Sequence, residues 1–231
     1  MINSTLDKRL LSCADYVRAG AVFADIGTDH GYLPLFLLKR GVISRAYLTD
    51  VNEGPLNSAV ENARSAGLYD TCEFVLTDGA AALAGKGITD YAICGMGGEL
   101  IARIIEDAPH LKSRGTRLIL QPMTKQAHLR EYLASSGFAI LSECYSHADG
   151  KYYVTILAEY TADVRSITDI EAELGSGAPI AGDRADFLGY LMTKRNAYER
   201  AVRGKEQGGL DSLDERRILA AICEKITEYE R

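Results

Sequence analysis

Residues 25–34, Asp-Ile-Gly-Thr-Asp-His-Gly-Tyr-Leu-Pro, hold the densest group of side chains suited to ligand binding. An apolar stretch ends there in an acid, and glycines follow two and six positions later. Gly27 and Gly31 lack a Cβ, so their backbone can approach a ligand closely. The dinucleotide fingerprint GxGxxG is absent, and the spacing is typical of the loop that holds S-adenosylmethionine in methyltransferases. A tight strand-to-helix turn without a ligand is the alternative.

Two further acids follow apolar stretches, Asp50 after Leu-Thr and Asp78 after Leu-Thr. A carboxylate at Asp50 can accept both ribose hydroxyls of a nucleoside, although a helix N-cap would explain Asp50 equally well. A carboxylate at Asp78 can accept a hydrogen bond from an adenine amino group. Ligands of open α/β sheets bind outside the carboxyl ends of the strands, so we expect Gly27, Asp50 and Asp78 to converge on one crevice.

A fourth candidate element is the run Ile-Cys-Gly-Met-Gly-Gly-Glu at residues 93–99. Many methyltransferases carry an Asn-Pro-Pro-aromatic tetrapeptide here, which holds an exocyclic amine. Its absence disfavours an exocyclic-amine acceptor and favours a ring nitrogen with a free lone pair. The glycines are also compatible with a closely packed helix N-terminus. The predicted cofactor-binding residues are Gly27, Thr28, Asp29, His30, Gly31, Asp50, Val51, Asp78, Gly79, Gly95 and Met96.

The elements that must position these residues alternate between strand-like and helix-like patterns. An apolar helix face from Leu6 to Val17, with Gly20 at its C-cap, precedes them. Predicted strands 21–26, 45–49, 72–76, 91–94 and 117–120 alternate with predicted helices 32–40, 55–66, 98–107 and 126–135. This alternation predicts a doubly wound parallel sheet with right-handed crossovers.

Two more predicted strands, 138–145 and 152–160, are joined by the turn residues Ala148-Asp149-Gly150 and form a hairpin. An antiparallel last strand on a doubly wound sheet distinguishes class I methyltransferases from dehydrogenases. We therefore predict an α/β fold of that class, a Rossmann-like seven-stranded sheet with an antiparallel last strand.

The chain after Thr161 loses apolar density and predicts a second, smaller unit. A connector with Gly175, Gly177, Pro179 and Gly182 leads to two helical patterns separated by Gly208-Gly209. We expect a methyltransferase domain over residues 1–163 and a helical, coiled-coil-like hairpin over residues 164–231.

Composition limits the possible functions. A hydrophobic fraction of 47% and a charged fraction of 25% exclude a disordered chain, and a net charge of −6 disfavours a protein that coats nucleic acid. Five scattered cysteines and four histidines suggest neither a zinc site nor a disulfide framework. The sequence carries no apolar window of membrane-spanning length and no signal peptide at its start, so a cytoplasmic protein without membrane contact is expected. The sequence leaves the oligomeric state open.

The motifs at residues 25–34, 95–98 (Gly-Met-Gly-Gly) and 120–123 (Leu-Gln-Pro-Met), with the helical tail, resemble the bacterial TrmK-type tRNA (adenine(22)-N1)-methyltransferases over nearly the whole chain. The resemblance implies methyl transfer from S-adenosylmethionine to N1 of an adenine in the D-arm region of tRNA, with RNA contact by the tail. A methyltransferase acting on another RNA, on DNA or on a small molecule, a catalytically silent RNA-binding protein and a nicotinamide oxidoreductase are the alternatives.

Adenine N1 carries a free lone pair at neutral pH, so the reaction requires no general base, and catalysis would come from positioning. Asp29, His30 and Tyr32 are the candidate catalytic residues. Asp29 could balance charge and Tyr32 could stack on a flipped base. Alternatively, Asp29 binds the cofactor's amino group, His30 caps a helix and Tyr32 belongs to the core. Gln121 and Pro122 could line the acceptor pocket.

The first tail helix is locally basic. Residues 184–205 hold six basic and two acidic residues, and the basic ones are Arg184, Lys194, Arg195, Arg200, Arg203 and Lys205. This pattern suits contact with tRNA phosphates, although a solvated helix face would explain it equally well.

Overall fold

The computed structural model describes residues 6–175 and 180–230, which form eight strands and eight α-helices. The strands are β1 (Val22–Ile26), β2 (Arg45–Asp50), β3 (Cys72–Leu76), β4 (Asp90–Gly97), β5 (Arg117–Thr124), β6 (Phe138–Ala148), β7 (Lys151–Tyr160) and β8 (Ile180–Gly182). The helices are α1 (Lys8–Ala14), α2 (Tyr32–Lys39), α3 (Glu53–Ser65), α4 (Gly98–Glu106), α5 (Gln126–Ser135), α6 (Asp169–Leu174), α7 (Arg184–Gln207) and α8 (Leu213–Glu230).

All eight strands belong to one sheet in the order β3-β2-β1-β4-β5-β7-β6-β8. The first five pair in parallel, and β7 runs antiparallel between β5 and β6. The predicted class I methyltransferase fold is therefore confirmed. The eighth strand was not predicted, since a strand of three residues carries no periodicity that a sequence could reveal.

Helices cover both faces of the sheet, which explains why its inner strands are buried along most of their length. One apolar cluster packs α1, α2 and α3 against the sheet around Phe23 and Leu35. The other cluster joins α4, α5, α7 and α8 around Ile105, Phe187 and Ile222. The sheet is thereby held rigid between two layers, and the carboxyl ends of its parallel strands are left to form a site.

The first helix is shorter than predicted: α1 ends at Ala14, and the chain reaches Gly20 through turns. The reason is a tertiary contact, because the backbone N–H and the guanidinium of Arg18 both bind the buried carboxylate of Asp90 at the start of β4. The N-terminal end of α1 is capped by Asp7, whose carboxylate accepts the N–H of Leu10 at 2.7 Å.

The β6–β7 hairpin is longer than predicted, and the difference matters for the site. Its strands pair up to Ala148 and Lys151, so the turn consists of Asp149 and Gly150 alone. Both turn residues have a positive φ, 49° and 71°, as a two-residue type I′ turn requires. The hairpin therefore carries Asp149 to the carboxyl edge of the sheet, where Asp149 lines the cleft described below.

The tail forms the predicted helical hairpin, α7 and α8, around Gly208 and Gly209. The tail rests on the sheet through the ring of Tyr145, whose centroid lies 4.6 Å from that of Phe187 and 4.8 Å from that of Tyr190. Helix α6 and strand β8 lie in the stretch that was expected to be a connector. Two connector residues, Gly177 and Pro179, lie outside the described residues, and the domain boundary after residue 163 stays a prediction. In the part of the chain described, no helix is long and apolar enough to span a bilayer.

Candidate active site

A cleft of about 630 Å³ opens at the carboxyl ends of the parallel strands. One side of the cleft is formed by residues at the carboxyl ends of β1, β2, β3 and β4 and in the loops that follow them. The other side is formed by residues of α1, β5 and the β6–β7 hairpin. The predicted residues that line it are Gly27, Asp29, Tyr32, Asp50, Val51, Asp78, Gly79, Gly95 and Met96. The expected crevice at successive strand ends is therefore present.

Three predicted residues of the first loop do not line the cleft. Thr28 is fully buried, Gly31 begins α2, and His30 stacks on Tyr32 with ring centroids 5.3 Å apart. A Cβ at Gly31 would meet Leu48 at 3.0 Å, so a glycine is required there by packing as well as by its φ of 70°. These residues shape the loop, and a direct contact of Thr28, His30 or Gly31 with the cofactor stays a prediction.

Asp25 lines the cleft although it was not among the predicted contacts. Its carboxylate accepts a 2.6 Å hydrogen bond from the hydroxyl of Thr28. Burial raises the pKa of Asp25 to about 6, the Thr28 hydrogen bond opposes this, and the nearby carboxylates of Asp50 and Asp29 add to it. Asp25 is the first residue of the motif at residues 25–34, so the sequence could have indicated it as a cleft residue.

Asp50 ends β2 and is almost fully buried at the cleft wall. One of its carboxylate oxygens accepts the N–H of Asn52 at 2.8 Å, which fixes the orientation of the group. The helix that follows is capped at Asn52, so Asp50 is not the N-cap. Among the described residues no other hydrogen bond occupies this carboxylate, and it can accept hydroxyl donors from a ligand.

Glycines at two strand ends allow the backbone to approach the cleft. Gly27 has a φ of 73°, and a Cβ there would lie 2.1 Å from Cε of Met96. Gly95 has a φ of 76° and faces open space, at the point where the β4–β5 register shifts. Gly98, by contrast, is needed for packing, because its Cβ would lie 2.2 Å from the carbonyl oxygen of Lys125.

The second side of the cleft contains an arginine that no sequence pattern predicted. Arg9 of α1 donates from Nη1 to Oε1 of Gln121 at 2.9 Å, and Gly95 N–H donates to the same oxygen at 3.1 Å. Gln121 is fully buried behind the cleft, and Pro122 is buried in β5. The expectation that these two residues line the acceptor pocket is therefore wrong. No local pattern marks Arg9, because its role depends on a residue 112 positions away.

The charge of the cleft suits a cationic ligand. Its lining includes the carboxylates of Asp7, Asp25, Asp29, Asp50, Asp78 and Asp149, against the single cation Arg9 among the described lining residues. S-adenosylmethionine carries a positive sulfonium and an ammonium group, two ribose hydroxyls and an adenine. Exposed Val51, with Leu100 and Ile104, adds an apolar patch suited to a nucleobase. The residues present therefore fit this cofactor, and the volume lies within the range of small-molecule sites.

Comparison with known proteins identifies the family. Residues 6–156 match the family described as "Methyltransferase domain". The tRNA (adenine(22)-N(1))-methyltransferase of Bacillus subtilis (strain 168) is 38% identical over 155 residues, which is 67% of this chain and 65% of that protein. A putative tRNA (m1A22) methyltransferase from Streptococcus pneumoniae, solved in complex with S-adenosyl-L-methionine, is 31% identical with a TM-score of 0.81, over 96% of this chain and 100% of that one. The chain belongs to the TrmK-type methyltransferase family.

A further TrmK-type structure, the M1A22 tRNA methyltransferase TrmK of B. subtilis, is 26% identical with a TM-score of 0.72, over 99% of this chain and 98% of that one. The family resemblance predicted from the motifs is thus confirmed. The aligned part of this chain spans slightly less than two thirds of the length of the curated B. subtilis TrmK-type relative.

The remaining histidines of this TrmK-type chain lie apart, as expected. His110 is near Tyr91, with ring centroids 6.0 Å apart, and His147 lies 4.5 Å from Tyr152 by the same measure. No group of three or more potential metal-binding side chains occurs within residues 6–175 and 180–230. All five cysteines are free thiols.

The basic residues of α7 divide into two groups. Four of them have partners within the chain, since Lys194 pairs with Glu173, Arg195 with Glu199, Lys205 with Glu215, and Arg184 donates to the carbonyl of Tyr229. Arg200 and Arg203 are exposed, and neither has an ion pair to another described residue. Of the basic residues predicted to contact phosphate, these two are exposed and without a partner among the described residues.

Proposed function

We propose that this protein transfers a methyl group from S-adenosylmethionine to N1 of an adenine in tRNA, at position 22 in the D-arm region. The observation that supports this most directly is the acidic cleft at the ends of β1, β2 and β3, in a chain similar to proteins named for that reaction. The RNA-binding and cytoplasmic character of the protein are part of the same proposal.

The cofactor half of the cleft uses the strand-end acids. Asp50 accepts the ribose hydroxyls, and Asp78 accepts the adenine amino group. Gly27 lets the backbone lie against the methionine part, where Asp25 and Asp29 offset its positive charge. When bound, S-adenosylmethionine supplies an electrophilic methyl group attached to a positively charged sulfur.

The acceptor half positions the adenine ring. Its N1 attacks with a lone pair that carries no proton, so no protein group has to remove one. The ring becomes positively charged as the methyl group is transferred, and Asp29 and Asp149 at the cleft favour that charge. Catalysis therefore consists of alignment and electrostatic stabilisation.

Asp29 and Tyr32 are the proposed catalytic residues, and His30, the third candidate, is proposed to position them. Tyr32 lines the cleft and is 42% exposed, so its ring can stack on a base that leaves the RNA helix. His30 holds that ring by stacking, and its Nε2 lies 3.2 Å from the carboxylate of Asp29. His30 is thus proposed to act through its two neighbours.

The two predicted domains are proposed to have different roles. Residues 1–163 hold the cofactor and the reacting base, and residues 164–231 hold the rest of the tRNA through exposed arginines of α7. A tRNA substrate also implies that the protein acts in the cytoplasm, where tRNA takes part in translation.

The test is mass mapping of modified nucleosides after unmodified tRNA is incubated with the protein and S-adenosylmethionine. We expect 1-methyladenosine at position 22 and none in a matched tRNA with guanosine there. Methylation at another position would assign a different substrate, and tRNA binding without methylation would identify a silent RNA-binding protein. Calorimetry with S-adenosylmethionine and with NAD distinguishes the oxidoreductase alternative.

A further inference from the structure

Arg9 is held in a defined position at the cleft by three neighbours. Its Nη1 donates to Gln121, its Nη2 lies 3.5 Å from the carboxylate of Asp7, and its Cζ lies 5.9 Å from the ring centroid of Tyr153. Its side chain is 21% exposed, so part of the guanidinium still faces the cleft. A guanidinium has five N–H donors, and those left over can serve a ligand.

The place of Arg9 in the fold connects it with the acceptor half of the cleft. Gln121 lies in β5 and Tyr153 in β7, whereas the strand-end acids Asp25, Asp50 and Asp78 lie at β1, β2 and β3. Arg9 is therefore on the side of the cleft away from the ribose and adenine contacts proposed for the cofactor.

Helix α1 also lies between the cleft and the tail. Lys8 Nζ is 3.8 Å from the carboxylate of Asp186 at the start of α7, while the next residue, Arg9, lines the cleft. An RNA that contacts α7 and inserts a base into the cleft would pass over this short helix.

The charge balance of the cleft makes a cation there necessary for RNA. Each nucleotide of an RNA carries a phosphodiester anion. The nucleotide to be methylated must approach a cleft that six aspartates line. Like charges at close range oppose association, and a fixed guanidinium pairs with phosphate oxygens in a two-donor geometry.

We propose that Arg9 binds a phosphate of the nucleotide to be methylated, and that the buried Gln121 is the positioning residue that orients its guanidinium. This inference rests on the proposed methyl transfer to tRNA. Gln121 acts through Oε1, which fixes Arg9 and the Gly95 N–H together, so the cation keeps a constant position relative to the loop at the end of β4.

The test measures steady-state tRNA methylation, calorimetric affinity for S-adenosylmethionine, and the salt dependence of tRNA binding. For Arg9→Gln we expect KM for tRNA to rise about ten- to a hundredfold, the range for losing one charge-assisted contact. The salt slope should fall by about one unit. Affinity for S-adenosylmethionine should stay within about twofold of the parent. Arg114→Gln is the matched control. Arg114 is an exposed residue just before the N-terminal end of β5, whereas the cleft lies at the carboxyl ends of the parallel strands.

Gln121→Leu tests the positioning role, since leucine is of similar size and cannot accept the hydrogen bond. We expect a rise in KM for tRNA that becomes much smaller when Arg9 is already glutamine, because Gln121 then has no guanidinium to orient and its Oε1 retains only the hydrogen bond from Gly95 N–H. Separate, additive effects would contradict the positioning role.

Two results would overturn the inference. In the first, Arg9→Gln weakens S-adenosylmethionine binding and leaves KM for tRNA unchanged, so that Arg9 serves the cofactor carboxylate. In the second, the variant behaves like Arg114→Gln in every measurement. Both require a parent protein that methylates tRNA, and a parent without that activity contradicts the proposed function instead.

Discussion

The hydroxyl of Thr28 donates a 2.6 Å hydrogen bond to the carboxylate of Asp25, and both side chains are buried beneath the loop that follows β1. A single hydroxyl does not compensate a buried carboxylate for its lost hydration. The pKa of Asp25 is accordingly raised by burial to about 6. The ligand-free fold thus maintains a negative charge at a cost in stability, in the place where we propose that a cationic cofactor binds.

We predict that Asp25→Asn stabilises the ligand-free protein at neutral pH and weakens cofactor binding. The pKa rises from 3.8 to about 6 on folding, so the folded state retains a proton that the unfolded state loses between those values. Stability from this group is therefore present below about pH 4 and lost as pH rises through 6. Urea unfolding should show the variant about 3 kcal/mol more stable at pH 7, with the difference disappearing near pH 4. Equal stabilities at pH 7 would contradict the cost assigned to Asp25.

Asp50→Ala is predicted to weaken S-adenosylmethionine binding about ten- to a hundredfold. The reason is the loss of charge-assisted hydrogen bonds to the ribose hydroxyls, worth about 1.5–3 kcal/mol. Calorimetry measures this directly. Asp70→Ala is a suitable control, since Asp70 lies in the 3-10 turn before β3 and does not line the cleft. Unchanged affinity in Asp50→Ala would remove Asp50 from the cofactor site.

His30 is predicted to be dispensable as a base. The rate at saturating cofactor and tRNA should not fall steeply from about pH 8 to 6.5, the range in which a histidine base would titrate. His30 has a φ of 57°, which alanine tolerates poorly, so His30→Asn accompanies His30→Ala as the variant that accepts this backbone. A loss of more than about a thousandfold in kcat for both variants, with binding intact, would demonstrate a general base.

The cofactor half of the cleft could be predicted from the sequence because its residues are local to strand ends. Asp50, Asp78 and Gly27 each follow an apolar strand, and a parallel sheet brings such positions to one edge. The alternation of strands and helices predicted a doubly wound parallel sheet, whereas the order of the strands and the short eighth strand came from the structure.

The acceptor half could not be predicted, because it depends on contacts between distant segments. Arg9 and Gln121 meet across 112 positions, and Asp149 reaches the cleft only because the hairpin extends beyond the predicted strands. The basic pattern of α7 was likewise ambiguous. Acids pair with three of its six cations, Lys194, Arg195 and Lys205, and a fourth, Arg184, donates to a backbone carbonyl.

Arg130→Met is predicted to destabilise the protein by about 3–5 kcal/mol, because it leaves the carboxylate of Glu143 buried without its partner. Nε of Arg130 lies 2.6 Å from that carboxylate, and both side chains are almost fully enclosed between α5 and β6. Arg130 also donates to the carbonyl of Ala172 and so ties α6 to the sheet. Urea unfolding measures the loss, and Arg130→Met combined with Glu143→Leu should recover part of it. A double variant less stable than Arg130→Met would show that the charge was not the cause.

The last prediction concerns the basic residues of α7, because the structure shows which of them can be replaced without breaking an ion pair. Lys194 pairs with Glu173 and Arg195 with Glu199, so replacing them would disturb α7 itself. Arg200→Gln with Arg203→Gln removes the two exposed cations of α7 that have no partner among the described residues, and we expect weaker tRNA binding with a salt slope reduced by about one unit per lost phosphate contact.

Lys39→Gln with Arg114→Gln is the matched control for this pair, because it removes the same charge from exposed positions away from the cleft. Affinity for S-adenosylmethionine should be unchanged in both double variants, since neither alters a residue that lines the cleft. Filter binding or fluorescence anisotropy over a range of salt concentrations separates the specific loss from a general effect of charge. If the two double variants lose tRNA affinity equally, α7 contributes only net charge, and the RNA-binding surface must lie on the sheet domain.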